Sequence, residues 1–168
     1  MCILLESEAL SLVRYDDTKE AHRRLLQDFE SGESKSDFIS YIPSRLKSSS
    51  TRDVESLFQS AYVVVDEEGV PIGYAFISNK KDDIVALECS ILSRYRGQGY
   101  GRRLLNGLTN HLFSLNIRAI QLDIDQSNSR SIKSAEKCGF IWDPDVVCNN
   151  GKLCFIKDNF DYRSTRRK

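Results

Sequence analysis

The stretch Ile91-Leu92-Ser93-Arg94-Tyr95-Arg96-Gly97-Gln98-Gly99-Tyr100-Gly101-Arg102-Arg103-Leu104-Leu105 constrains the fold more than any other part of the chain. An apolar run gives way to glycines at alternate positions, and Leu104, Leu105, Leu108 and Leu112 then recur at helical spacing. This is the pattern of a strand feeding a tight loop that opens an amphipathic helix, expected to reach about Leu115. The first N–H groups of such a helix have no intrahelical acceptor and carry positive partial charge, so the turn suits an anion. Arg102 and Arg103 oppose the helix dipole there, at about 0.3–1 kcal/mol each, a cost that a bound phosphate offsets. The spacing lacks Gly-Lys-Ser/Thr and fails GxGxxG, so it is neither a P-loop nor the dinucleotide fingerprint. On these residues alone, a glycine-rich turn without a ligand is the alternative.

The rest of the chain places this stretch in an α/β order. Ala9 to Tyr15 alternates loosely, as a half-buried strand does, and Asp17 and Thr18 are caps for a helix reaching about Phe29. Residues 31–36 read as a loop and 38–46 as a helical turn interrupted by Pro43; the serines at 48–50 precede another short helix, with Thr51 and Glu55 in its first turn. Ala61–Val65, Val70–Ser78 and Ile84–Leu92 form an antiparallel meander, its first turn at Glu67-Glu68-Gly69. Arg118–Asp125 is a further strand. Asn128 or Ser129 opens a second helix, which Gly139 closes. Phe140–Val147 and Lys152–Lys157 flank Asn149-Asn150-Gly151 as a hairpin pair. The expectation is a single α/β (α+β) domain over residues 1–168, with a core at 9–157 and a basic tail at 158–168. Its central sheet is mixed and largely antiparallel, flanked by helices.

Composition removes several classes of function. A chain of 168 residues suits one domain. Its 24 Lys and Arg balance 24 Asp and Glu, so no global field draws it to nucleic acid or an anionic membrane. Arg163, Arg166, Arg167 and Lys168 read as a solvated, frayed tail. The five cysteines form no CxxC pair, and Cys89, Cys138 and Cys154 sit in apolar runs; a reduced cytoplasmic protein without a metal cluster is expected. The apolar run Ile3–Leu5 is too short for a signal peptide or a membrane span.

Arg96-Gly97-Gln98-Gly99-Tyr100-Gly101 is similar to the R/Q-x-x-G-x-G/A signature of the GNAT superfamily of N-acetyltransferases. Asn128-Ser129-Arg130-Ser131 and Glu136-Lys137-Cys138-Gly139-Phe140 resemble the Asn-x-x-Ser and Glu-Lys-x-Gly-Phe motifs of the ribosomal-protein alanine N-acetyltransferase group. The resemblance implies acetyl-CoA as acyl donor, lying between the strand ending at Leu92 and the strand ending at Asp125. It implies that backbone groups of Cys89, Ser90 and Ile91 hold the pantetheine and thioester. Arg96 and the amides of Gly97, Gln98, Gly99, Tyr100, Gly101 and Arg102 would take the pyrophosphate, and Asn128 the cofactor arm. The implied reaction is direct acetyl transfer to a primary amine, either a small molecule or a protein N-terminus, by a monomer or homodimer. A non-catalytic acyl-CoA sensor and a nucleotide-binding regulatory module are the rivals.

Acyl transfer needs an oxyanion donor, a neutral amine and a proton for the leaving thiolate. A bulge in the strand before Arg96 is one way to free an N–H for the oxyanion. The family pattern places a carboxylate five residues before the asparagine, which makes Asp123 the candidate base, with Asp125 expected on the same strand face. Glu88 is a second candidate, because a carboxylate in an apolar strand needs a reason. Many relatives carry an acidic tyrosine where this chain has Ala135, leaving Ser131, Tyr41 or solvent to protonate the thiolate. His22 and His111 read as surface residues, and Trp142 as core or pocket wall.

Overall fold

The computed structural model describes residues 2–5, 9–31, 60–146, 148 and 151–163. Period-two burial in the β-branched runs and period-3.6 burial in the leucine-rich runs give β1 (Cys2–Leu5), β2 (Leu10–Arg14), α1 (Glu20–Ser31) and β3 (Ser60–Val65). Then come β4 (Pro71–Asn79), β5 (Ile84–Ile91), α2 (Tyr100–Ser114), β6 (Ala119–Ile124), α3 (Ser129–Lys137), β7 (Ile141–Trp142) and β8 (Leu153–Asp158). The strands form one sheet in the order β1-β2-β3-β4-β5-β6-β8-β7. Each neighbouring pair is antiparallel except β5 and β6, which run parallel because α2 carries the chain between them.

Helices cover both faces. On one, Leu12, Ile72, Ile77, Val85, Leu87 and Ile120 pack with Leu104, Leu108 and Leu112 of α2. Truncating a fully buried leucine such as Leu108 to alanine costs about 2–5 kcal/mol. On the other face, Leu25 and Phe29 of α1 pack on Val63, Tyr74 and Phe76, with the Phe29 and Tyr74 rings edge to face at 5.1 Å.

The meander, the helix after the glycine loop and the helix closed by Gly139 stand as the sequence implied. Four expectations change. β1 is a strand, paired with β2 from Cys2↔Val13 to Leu5↔Leu10; its short apolar run reads as nothing until a partner strand is present. The first helix opens two residues late, because Asp16 Oδ1 takes both the N–H and the hydroxyl of Thr18 in a turn ahead of Glu20. The strand after Phe140 stops at Trp142, where Pro144 follows and Asp143 N–H makes the last bond, to Cys154 O at 2.8 Å. The tail is docked as far as Arg163: Asn159 Nδ2 donates to Phe113 O and Ile117 O, and Tyr162 Oη donates to Asp83. The helical readings at 38–46 and 51–55, the loop at 32–36, Tyr41, the turn pair Asn149-Asn150 and the end of the tail lie outside the described residues. Among the described residues no helix is long and apolar enough to cross a membrane.

Candidate active site

The site begins where two parallel strands part. β5 and β6 pair only at Ile84↔Ala119, Val85↔Ile120 and Ala86↔Gln121, after which they diverge. Leu92 N donates to Ile72 O on the β4 side, so strand alternation turns the N–H groups of Cys89 and Ile91 toward the opening instead. The divergence of the two strands frees these groups without the bulge suggested before Arg96. The β4–β5 register runs unbroken from Gly73↔Ile91 to Asn79↔Val85, and the irregularity lies at Val64/Val65 against β4. Gly73 makes the close approach there. A Cβ on it would sit 2.3 Å from Ser90 O, so another residue would push β5 away at the mouth of the opening. Sequence reading missed it, for an isolated glycine in a strand run is its only signal.

The loop from β5 into α2 is shaped by its glycines. Gly97 and Gly99 have φ of 80° and 84°, and no side chain caps α2. A Cβ at Gly97, Gly99 or Gly101 would meet nothing within 4 Å, so the backbone is uncrowded on that side of all three residues. The loop's own side chains are turned to holding it. Arg96 Nε donates to Ile91 O at 2.8 Å, Gln98 Nε2 reaches Arg94 O at 3.4 Å, and Arg94 pairs with Asp28 of α1 at 2.7 Å. Arg103 lies over the Tyr100 ring, and Arg102 is exposed.

On the β6 side, Asn128 Oδ1 accepts from Ser131 N at 3.1 Å and caps α3, whose far end closes at Gly139, with Lys157 Nζ on Cys138 O at 2.7 Å. Ser131 is half-buried in the first turn, whereas Ala135 is sealed in the core. Asp125, expected on the strand face of Asp123, falls outside the strand. It lies past the end of β6, where its Oδ1 takes the hydroxyl and N–H of Ser127, bonds that hold its carboxyl below the usual range. Glu88 and Asp123 lie two residues beyond the last β5–β6 pair, on one face of the two diverging strands. Glu88 is half-buried and Asp123 is exposed.

Asp123 has close company that the sequence concealed. Gln121 Nε2 donates to its Oδ1 at 2.6 Å, and Cys148 Sγ donates to the same oxygen at 3.1 Å. Burial and Asp123 together push the Cys148 thiol up to about 12. Burial likewise pushes Cys89 up to about 12, and raises Cys154. Raised in this way, all three thiols are poor nucleophiles near neutrality. His22 is not a surface residue: it is buried, its Nδ1 accepting from Asp16 N at 3.0 Å. His111 is half-buried, and Trp142 is exposed on β7.

Known proteins share this fold. A family model described as the acetyltransferase (GNAT) family matches residues 19–140. No curated protein matches the chain in sequence. A ribosomal-protein alanine acetyltransferase from Vibrio fischeri has a TM-score of 0.69 at 19% identity, over 98% of this chain and 100% of that one. A ribosomal-protein α-N-acetyltransferase in complex with coenzyme A reaches 0.74 at 14% identity, over 94% and 98%. A spermidine N-acetyltransferase from Vibrio cholerae gives 0.65 at 18% identity, over 90% and 95%. At these identities the likeness speaks for the fold. The family match spans most of the chain, and this protein belongs to the acetyltransferase (GNAT) family.

Proposed function

We propose that the chain transfers an acetyl group from acetyl-CoA to a primary amine by direct attack in a ternary complex. The observation that carries this is the opening between β5 and β6, with outward N–H groups on one side and carboxylates on the facing strands. Acetyl-CoA supplies the acetyl group. The amides from Gly97 to Arg102 hold its pyrophosphate, and Cys89 and Ile91 N–H groups steady the thioester and the charge that develops on its oxygen. Asp123 takes the proton of the incoming ammonium, through a water because aspartate is short, with Glu88 as the other candidate. Ser131, half-buried in the first turn of α3, returns a proton to the leaving thiolate, since Ala135 has no hydroxyl to offer.

The structural relatives name amines of two kinds, on ribosomal proteins and on spermidine, and acceptors of either kind fit an opening faced by Asp123 and Glu88. The absence of a hydroxyl at the sealed Ala135 also favours a second reading, an acyl-CoA sensor without turnover. One experiment separates the two. The chain is incubated with acetyl-CoA and a panel of peptide N-termini, polyamines and small amines, and free thiol release is followed. Release with at least one amine is expected; none, alongside tight acetyl-CoA binding, leaves the sensor. Binding itself shows as stabilisation of about 2.7 kcal/mol at a hundredfold excess over the dissociation constant. An unchanged melting temperature at saturating acetyl-CoA rejects both readings.

A further inference from the structure

We propose that Asp123, Cys148 and Cys154 form a binding site for a thiophilic divalent ion of the zinc class, ligated by one carboxylate oxygen and two sulfurs. The three ligand atoms lie within 4.8 Å of one another. Asp123 and Cys154 are direct cross-strand partners on β6 and β8, so two of the ligands stand on paired strands. Cys148 arrives from the segment between β7 and β8, its sulfur 3.1 Å from Asp123 Oδ1. Tetrahedral zinc sits about 2.3 Å from sulfur and about 2.0 Å from oxygen, which sets its ligand atoms roughly 3.5–3.8 Å apart. Side-chain shifts of no more than about 1 Å reach that geometry.

Three features distinguish the cluster from two ordinary core cysteines. Gln121 is buried and donates to Asp123 Oδ1 while lying 3.8 Å from Cys148 Sγ, so the carboxylate is already held by an outer partner, as metal ligands usually are. The charge balances: two thiols and a carboxylate carry one negative charge, and so do two thiolates, a carboxylate and a divalent ion after two protons leave. The ion therefore replaces two protons without adding net charge to a desolvated corner. Finally, Asp123 is exposed while both cysteines are buried, so an ion would reach the cluster from the Asp123 side. Two sulfurs among three ligands exclude magnesium and calcium, which take oxygen. The spacing hid this site, because its ligands lie 25, 6 and 31 positions apart in sequence and match no CxxC motif.

Ion binding stands independently of catalysis; its effect on turnover rests on the reading of Asp123 as the base. The reduced, chelator-stripped full chain is titrated with cadmium, a zinc surrogate whose thiolate complexes absorb in the ultraviolet. The expected result is a saturable band at one ion per chain, displaced by zinc. It is lost in Cys148→Ala and in Cys154→Ala, kept in Cys138→Ser, and needs at least about tenfold more ion in Asp123→Asn, since losing a direct ligand costs no less than losing an outer partner. X-ray absorption of the wild-type zinc complex gives two sulfur neighbours and covers the case in which a cysteine variant misfolds. No saturable band, a band surviving in both cysteine variants, or a zinc shell without sulfur overturns the site. Acetylated amine is read in parallel by mass spectrometry. If zinc binds through sulfur and turnover is unchanged, the site stands and the role of Asp123 as base falls. If no ion binds while amines are still acetylated, the site falls and the transferase reading stands.

Discussion

The two sides of the β5–β6 opening are made of different material. The β5 side and the loop after it offer backbone: outward N–H groups at Cys89 and Ile91, and an uncrowded chain at Gly97, Gly99 and Gly101. The β6 side offers side chains: Asp123 gripped by Gln121 and Cys148, and Asn128 at the start of α3. A backbone surface can take any acyl-CoA, because pyrophosphate and thioester are the same in each. A side-chain surface is where acceptors are told apart and protons moved. On the proposed reading, donor binding thus falls mainly to the backbone of β5 and its loop, and proton transfer mainly to side chains on β6.

The sharpest break in this comparison is a substitution that spares the first side and disables the second. Asp123→Asn keeps the size of the side chain and removes its charge. Turnover is expected to fall by about a hundredfold to ten-thousandfold, the range for losing a general base, with acetyl-CoA affinity unchanged by calorimetry. If Glu88→Gln shows that loss instead, the base moves across the opening to β5, and the division into a backbone side and a side-chain side fails.

The converse pair tests the backbone side. Gly99 has φ of 84°, so Gly99→Val strains the loop by about 1–2 kcal/mol or more and weakens acetyl-CoA binding by tenfold or more. Gly101 is helical, and a Cβ there meets nothing. Gly101→Ala is therefore expected to raise stability, by about 0.4–1 kcal/mol, while lowering acetyl-CoA affinity. Opposite signs for one methyl group point to a ligand over the amide; a gain in stability with full affinity makes the loop only a turn.

Legibility divides along the same line. A backbone site is written in consecutive residues, because glycine placement and helix periodicity are local; Arg96 to Leu105 therefore announced loop, helix and family together. The role of Gly73 is not local. Its glycine matters because Ser90 O approaches from 17 residues away, a fact that register alone supplies. The cluster around Asp123 is still less local, and the cysteine spacing suggested nothing. His22 was misplaced for another reason: its neighbours in sequence are polar, yet at three and seven residues before Leu25 and Phe29 it shares their buried stripe, where its Nδ1 accepts from Asp16 N. Gly73→Ala tests the point, since its Cβ would overlap backbone rather than a movable side chain. A loss of about 1–3 kcal/mol by urea denaturation is expected, with turnover falling as β5 shifts. A neutral result means that the sheet mouth is slack and its geometry does not position the thioester.

The smallest effect concerns pH, and it sharpens the contrast because protons act on side chains. His22 fixes the start of α1, on the face shared by Glu88 and Asp123, by accepting Asp16 N–H at its Nδ1. Burial, then Lys19, lowers its pKa from 6.5, against the pull of the Asp16 carboxylate. The unfolded chain therefore takes up the proton first as pH falls. The stability from neutral His22 is fully present above pH 6.5 and is lost as pH drops through the lower folded-state value. His111 in α2 shifts the same way through burial, so urea midpoints between about pH 5 and 7 carry both contributions. His22→Asn separates them: the amide oxygen can still accept from Asp16 N–H but cannot titrate in this range. A shallower fall toward acid is expected in that variant. In the wild type, hydrogen exchange should show α1 amides losing protection before those at the start of α2. If the variant falls as steeply as the wild type, protonation of His22 does not loosen α1, and the side-chain half of the site is no more pH-sensitive than the backbone half.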